Sequence, residues 1–145
     1  RPAQRLLRPA AESPPVKARH IDHVNLRIPE DGAGDAREFY GGALGLGIED
    51  ALWAAGEKPF FDVRLSATAV IHLRPTDEFE RPTKTNYDHV AVVVEEPVEE
   101  IEAELAEAGV AVEKTLDSPL GATGEAGGVY VRDPFGYRVE LKARV

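Results

Sequence analysis

The chain has 145 residues, enough for one domain around a single sizeable core, and its 43% hydrophobic and 30% charged residues are an ordinary globular balance. A formal net charge of −9 excludes a general nucleic-acid surface, which needs a basic footprint, although local arginines can still hold an anionic small molecule. The absence of cysteine excludes disulfides, thiolate metal ligands and a cysteine nucleophile, so any metal must be held by nitrogen and oxygen.

Residues 1–19 read as an N-terminal arm. Arg1, Arg5, Arg8, Lys17 and Arg19 stand against Glu12 alone, and Pro9, Pro14 and Pro15 rule out a long helix. The chain opens at Arg1 and holds no methionine, as expected of a processed or trimmed form. From 20 onward a single domain is expected. Its first module covers about 20–74, a polar linker 75–86, and its second module about 87–142. Residues 20–28 alternate as a strand, with His23, Asn25 and Arg27 on one face and Val24, Leu26 and Ile28 on the other. His20 is expected on the opposite face from His23, in a structural or surface role. Asp35 is a candidate N-cap for a helix carrying Ala36, Phe39, Tyr40 and Ala43, which the run of Gly41, Gly42, Gly45 and Gly47 ends. Strands are expected near 47–53, 59–65 and 68–74. Trp53, Phe60 and Phe61 are core or pocket-wall residues, and Glu57 is a loop carboxylate.

The second module repeats the order. A strand is expected over 87–94. A helix follows, with Pro97 suited to its first turn, Ile101, Leu105 and Ala108 as its apolar stripe and Gly109 as its C-terminal cap. Strands are then expected near 110–114, 127–132 and 137–142, the last two joined by the turn Asp133-Pro134-Phe135-Gly136-Tyr137. Short hairpin connections favour an α+β fold with mixed, mostly antiparallel sheets and outer helices. The acidic run Glu95, Glu96, Glu99, Glu100, Glu102 and Glu104 reads as a solvated helix face. Gly41-Gly42-Ala43-Leu44-Gly45 follows a helix and lacks the strand-loop-helix context of a phosphate loop. No apolar stretch nears the roughly 20 residues of a membrane span, and no secretory signal is visible, so no membrane partner and a cytoplasmic location are expected.

The two modules align residue by residue. Ile21-Asp22-His23-Val24 recurs as Tyr87-Asp88-His89-Val90, and Val70-Ile71-His72-Leu73 as Arg138-Val139-Glu140-Leu141. His23, His72, His89 and Glu140 thus occupy equivalent strand positions in the two copies, the pattern of a metal site built about a pseudo-twofold axis. Three imidazoles and a carboxylate leave such a site at net +1 around a divalent ion. A substrate with two adjacent oxygens, one anionic, would offset that charge. Nitrogen and oxygen donors suit Fe, Zn, Ni, Mn or Co.

Over residues 20–142 the chain resembles the vicinal oxygen chelate superfamily, which includes glyoxalase I, bleomycin-resistance proteins and extradiol dioxygenases. The resemblance rests on His20-Ile21-Asp22-His23-Val24-Asn25-Leu26, Phe39-Tyr40 before Leu44-Gly45-Leu46, Asp88-His89-Val90, and Asp133 to Leu141. It implies two tandem βαβββ modules curling into an open, cup-shaped sheet. The metal ligands come from the first and last strand of each module, here His23, His72, His89 and Glu140, holding one divalent transition metal per site. It also implies a homodimer, in which the ligands for one ion come either from one chain or from two. Many relatives carry Glu or Gln where this chain has His72.

Several activities stay open under that resemblance. The first is a glyoxalase-like isomerase or lyase that polarises a small substrate with vicinal oxygens, with Glu140 doubling as base. The second is a non-haem Fe(II) dioxygenase on His23, His89 and Glu140. The third is a thiol transferase, for which Tyr130 is the candidate, or a drug-binding resistance protein. Asn25, Arg27, Arg74 and Arg132 are the candidate substrate-binding residues. Arg138 shares the face of Glu140.

Overall fold

The structure, a computed structural model, describes residues 16–144. The arm expected over 1–19 therefore lies almost wholly outside the described residues. The first module runs β1 (His23–Pro29), α1 (Ala33–Ala36) continuing into a π-helical segment (Arg37–Ala43), β2 (Gly47–Glu49), α2 (Ala51–Ala54), β3 (Phe61–Ser66) and β4 (Ala69–Thr76). The second runs β5 (Val90–Val94), α3 (Val98–Glu107), β6 (Lys114–Leu116), a small hairpin β7 (Leu120–Gly121) and β8 (Gly124–Glu125), β9 (Gly128–Arg132) and β10 (Arg138–Ala143).

Each module closes one four-stranded sheet, in the order β1-β4-β3-β2 and β5-β10-β9-β6. The first and last strands of each module pair in parallel, and the remaining pairs are antiparallel. A parallel neighbour requires a long crossover, which α1 and α3 supply. The expected duplicated α+β architecture with open mixed sheets is therefore present. Strand alternation divides each sheet into two faces. Leu26 and Ile28 of β1, Ile71 and Leu73 of β4, Val63 of β3, and Val139 and Leu141 of β10 are buried in one continuous core with the helices. The residues between them, including His23, His72 and Glu140, point to the opposite face.

Buried polar contacts join the modules. Tyr40, fully buried, donates its hydroxyl to Asp133 Oδ2 at 2.7 Å. Asp133 Oδ1 accepts from the backbone N–H groups of Phe135 and Tyr137 at 2.9 and 2.8 Å. Tyr137 returns to the first module by donating to the carbonyl of Arg27 at 2.6 Å. The Asp-Pro-Phe-Gly-Tyr turn is thus a structural joint, and burial pushes the Asp133 carboxyl up while raising the Tyr40 hydroxyl far above its usual range.

Local expectations needed correction at several points. The strand expected over 47–53 ends at Glu49, and Ala51-Leu52-Trp53-Ala54 forms α2 instead, since Ala and Leu favour helix and no β-branched residue follows Ile48. The strand expected over 110–114 starts only at Lys114. The preceding residues complete the end of α3, where Gly109 has φ +78 and Val110 N–H donates to Leu105 O. Asp35 lies in the first turn of α1, with Gly32 at the cap position, and Pro97 itself takes the cap position of α3. The helix carrying Phe39 and Tyr40 widens to π geometry, with Leu44 N–H donating to Phe39 O. Gly41 belongs to that widened turn. A Cβ there would stand 3.0 Å from Ile48 Cγ1, so the glycine lets the helix approach β2.

Candidate metal centre

His23 opens β1, and His72 lies in β4 beside Asn25 of β1 and Asp62 of β3. The two imidazoles face one another with ring centroids 4.2 Å apart. Asp62 Oδ1 lies 2.5 Å from Nδ1 of His72, and Asp22 Oδ2 lies 2.8 Å from Nδ1 of His23. A carboxylate has no hydrogen to give, so Nδ1 donates in each case, and in the neutral ring this leaves the lone pair on Nε2. The side chain of His72 is only 15% exposed, whereas that of His23 is 45% exposed. The bond to His23 holds the Asp22 carboxyl below its usual range.

The second module builds the corresponding pair. His89 precedes β5, and Glu140 lies in β10 beside Tyr130 of β9 and Ala91 of β5. Asp88 Oδ1 stands 2.5 Å from Nδ1 of His89, and the bond holds Asp88 low. On the other side of the ring, Nε2 is 3.2 Å from Glu140 Oε1. Two ligand atoms at right angles on bonds of about 2.0–2.2 Å lie roughly 3 Å apart, so this spacing fits a shared ion. Glu140 is 4% exposed, and its Oε2 is buried with no hydrogen-bond partner among the described residues. Such an orphan carboxylate oxygen is costly without a cation. Gly128 provides its space, since a Cβ there would come within 2.6 Å of Oε2.

The donor set therefore fits a divalent metal, with three oriented imidazoles and one buried carboxylate, each imidazole backed by an aspartate. The four candidate ligands form two pairs within one chain. Among the described residues no three of them bring ligand atoms within 4.8 Å of one another; the one such cluster is Glu96, Glu100 and Glu104, on the acidic face near α3 expected to be solvated.

The other site candidates divide by their partners. Asn25, Arg27 and Arg74 line the exposed face of the first sheet, with Arg27 directly opposite Arg74 in register. Arg27 has only a loose contact to Glu78, at 3.8 Å. Tyr130 packs against His89 at 5.1 Å, and the Arg138 guanidinium lies 4.8 Å from its ring. Burial raises the Tyr130 hydroxyl, and the Glu140 charge adds to the rise. Arg132 is already engaged, donating to Glu113 Oε2 at 2.8 Å and to the Gly136 carbonyl at 3.0 Å. Arg138 also donates to Glu113, at 2.9 Å, and the two guanidiniums hold the Glu113 carboxyl low. His20 and Glu57 are exposed and take no part in either pair; His20 lies before β1 rather than on its opposite face.

Sequence reasoning missed Asp62, Glu113 and Lys142. Asp62 is ten residues from His72 and is identified only by strand register. The Asp22-His23 and Asp88-His89 doublets were visible in the repeat, but their hydrogen bonds were not. Lys142, 6% exposed on the face of Glu140, donates to the carbonyls of Pro119 and Ala126 at 2.9 and 3.0 Å. It thereby fastens the 117–127 loop over one end of the second sheet.

Known structures share this architecture. A virulence protein from Salmonella typhimurium is 22% identical, with 90% of this chain and all of that one covered at a TM-score of 0.70. A glyoxalase/dioxygenase from Nostoc punctiforme is 24% identical, with coverage of 92% and 99% and a TM-score of 0.66. A lactoylglutathione lyase from Agrobacterium tumefaciens is 20% identical, with coverage of 90% and 96% and a TM-score of 0.59. At these identities the likeness establishes the fold alone. No curated protein matches the chain. The family profile described as Glyoxalase/Bleomycin resistance protein/Dioxygenase superfamily matches residues 20–141, which contain both modules and all four candidate ligands, and the chain belongs to that superfamily.

Proposed function

We propose that this protein is a divalent-metal-dependent enzyme of the isomerase or lyase type, acting on a small substrate with vicinal oxygens. The observation that carries the reading is the threefold repeat of one device: His23, His72 and His89 each have Nδ1 tied to an aspartate, which turns Nε2 outward as a ligand. Glu140 Oε1, 3.2 Å from Nε2 of His89, supplies the anionic fourth position and leaves the buried Oε2 without a partner among the described residues. When bound, the metal supplies Lewis-acid polarisation of the substrate oxygens.

The chain's own residues do the rest. Glu140, shielded from water beside Tyr130, takes up and returns a proton at Oε2. Arg27 and Arg74 hold an anionic group of the substrate along the strands from His23 and His72. Asn25 offers a neutral hydrogen-bonding amide between them.

The active form is a homodimer in which His23 and His72 of one chain and His89 and Glu140 of the second copy address one ion. Two observations support this. Among the described residues no three of the four candidate ligands bring donor atoms within 4.8 Å of one another. Each pair also involves an edge strand, β1 or β5, with no neighbour on its outer side among the described residues.

Complementation tests the whole reading. A His23→Ala/His72→Ala variant and a His89→Ala/Glu140→Ala variant each bind no metal alone. Unfolded together and refolded as a mixture, they recover one ion per heterodimer, read by elemental analysis and sedimentation. No recovery would overturn the shared site. No metal in the parent protein after reconstitution would overturn the enzyme reading. Iron with substrate-dependent oxygen uptake would replace isomerase or lyase chemistry with dioxygenase chemistry.

A further inference from the structure

A second cleft adjoins the first module's imidazole pair on the side away from β1. It has a volume of about 490 Å³, within the range of small-molecule sites, and lies between edge strand β2, helix α2 and the segment leading into β3. Its apolar wall is Leu52, Trp53 and Phe60. Helix α2 buries none of its residues, and Leu52 is left largely exposed. Trp53 is braced from behind by Phe61 at 5.2 Å, and Phe60 stacks on His72 at 4.1 Å. Phe60 therefore continues the row of flat rings that begins with His23 and His72, and the cleft opens from that row.

The charges of the cleft are almost all satisfied. Glu49 is held by Arg64 at 2.9 Å, Asp50 by Arg37 at 2.7 Å, and Asp62 by His72 at 2.5 Å. Lys58 differs, with no carboxylate partner among the described residues; its Nζ lies 5.6 Å from the centre of the Phe60 ring. The ammonium is thus the one cation of the wall with no carboxylate bound to it, and it offsets the charge that Asp62 keeps beside a neutral His72. A ligand matching that wall has a flat apolar body to lie against Trp53 and Phe60 and one anionic group to meet Lys58.

We infer that the cleft between β2 and α2 binds an aromatic monoanion, with Trp53 and Phe60 holding the ring and Lys58 the charge. As an extension of the proposed metal site, which it adjoins through His72, it gives the substrate an aromatic portion with an anionic group at Lys58, in addition to the group that Arg27 and Arg74 hold. That last step rests on the function proposed above, whereas the binding itself does not require the metal.

Trp53 is the chain's one tryptophan, so its fluorescence reports the cleft directly. The test titrates metal-free full-length protein with phenylacetate and with its neutral counterpart phenylacetamide, exciting Trp53 and checking each affinity by calorimetry. The expected result is a saturable change with phenylacetate, about tenfold weaker with phenylacetamide, the scale of one charge-assisted contact. Lys58→Gln should reduce phenylacetate affinity to that of the amide, and Phe60→Leu should weaken both ligands. Equal affinity for the two ligands, no saturable binding, or unchanged binding in Lys58→Gln would overturn the inference. Because this titration uses no metal, failure of the metal reading shows only in the elemental analysis and leaves this result standing.

Discussion

The two modules share one sheet topology and one placement of candidate ligands but differ in how they enclose them. In the first, His23 is open, His72 is backed by a partly buried aspartate, and Arg27 and Arg74 face each other with little to neutralise them. In the second, Glu140 is buried, Arg132 and Arg138 are joined through Glu113, and a loop fastened by Lys142 covers one end of the sheet. The two halves thus keep matching strand positions for the candidate ligands while their surroundings differ. One half offers an accessible cationic face, and the other shelters the charge-bearing carboxylate.

If that division holds, the largest effect belongs to the sheltered half. Glu140→Gln should weaken metal affinity more than about 100-fold, because loss even of an outer partner costs about 10–100-fold, and His23→Gln should cost less. Dialysis against buffered metal measures both, and a reversed ranking would break the comparison. Next come the aspartates behind the imidazoles. Asp62→Asn should weaken binding by about 10–100-fold, whereas Asp22→Asn, at a more exposed pair, should stay nearer the lower limit. Equal losses would mean that burial does not set the value of this contact.

The joint between the halves gives a stability effect. Tyr40→Phe removes a buried bond to a carboxylate and should cost about 1.5–3 kcal/mol in urea unfolding, with the metal affinity of the dimer unchanged. A smaller effect concerns alkali. Burial pushes the Tyr87 hydroxyl up to about 12, and Tyr137 is also raised. A folded-state pKa above the unfolded value of about 10 stabilises fully below pH 10. That contribution is lost as pH rises through about 12. Chemical denaturation at successive pH values should therefore show stability falling across that window, with a shallower fall in Tyr87→Phe.

Much of this was legible because duplication leaves a signal in one sequence. The Asp-His doublets 66 residues apart and the matched strand ends at His72 and Glu140 located four candidate ligands and both modules without structural information (88−22 = 66). Alternation in β1 assigned Asn25 and Arg27 to the face of His23 correctly. What stayed hidden depends on strand register or on competition between local preferences. Asp62 reaches His72 only because β3 pairs antiparallel with β4. Arg132 looked available because Glu113, its partner, lies beyond a helix end whose cap consumed the residues expected to be strand. Helix α2 arose within an expected strand because three good helix formers, Ala51, Leu52 and Ala54, follow a strand of only three residues.

The pairing of β1 with β4 also has a consequence for biosynthesis. All four strands of the first sheet have been made once Thr76 is added, whereas the second sheet waits for Ala143, 67 residues later (143−76). At about 5–20 residues per second, this gives the first module roughly 3 to 13 seconds in which to form on the ribosome. During that interval the outer edge of β1 would already be assembled, and the nascent chain would have to be kept from pairing prematurely with its neighbours on the same message.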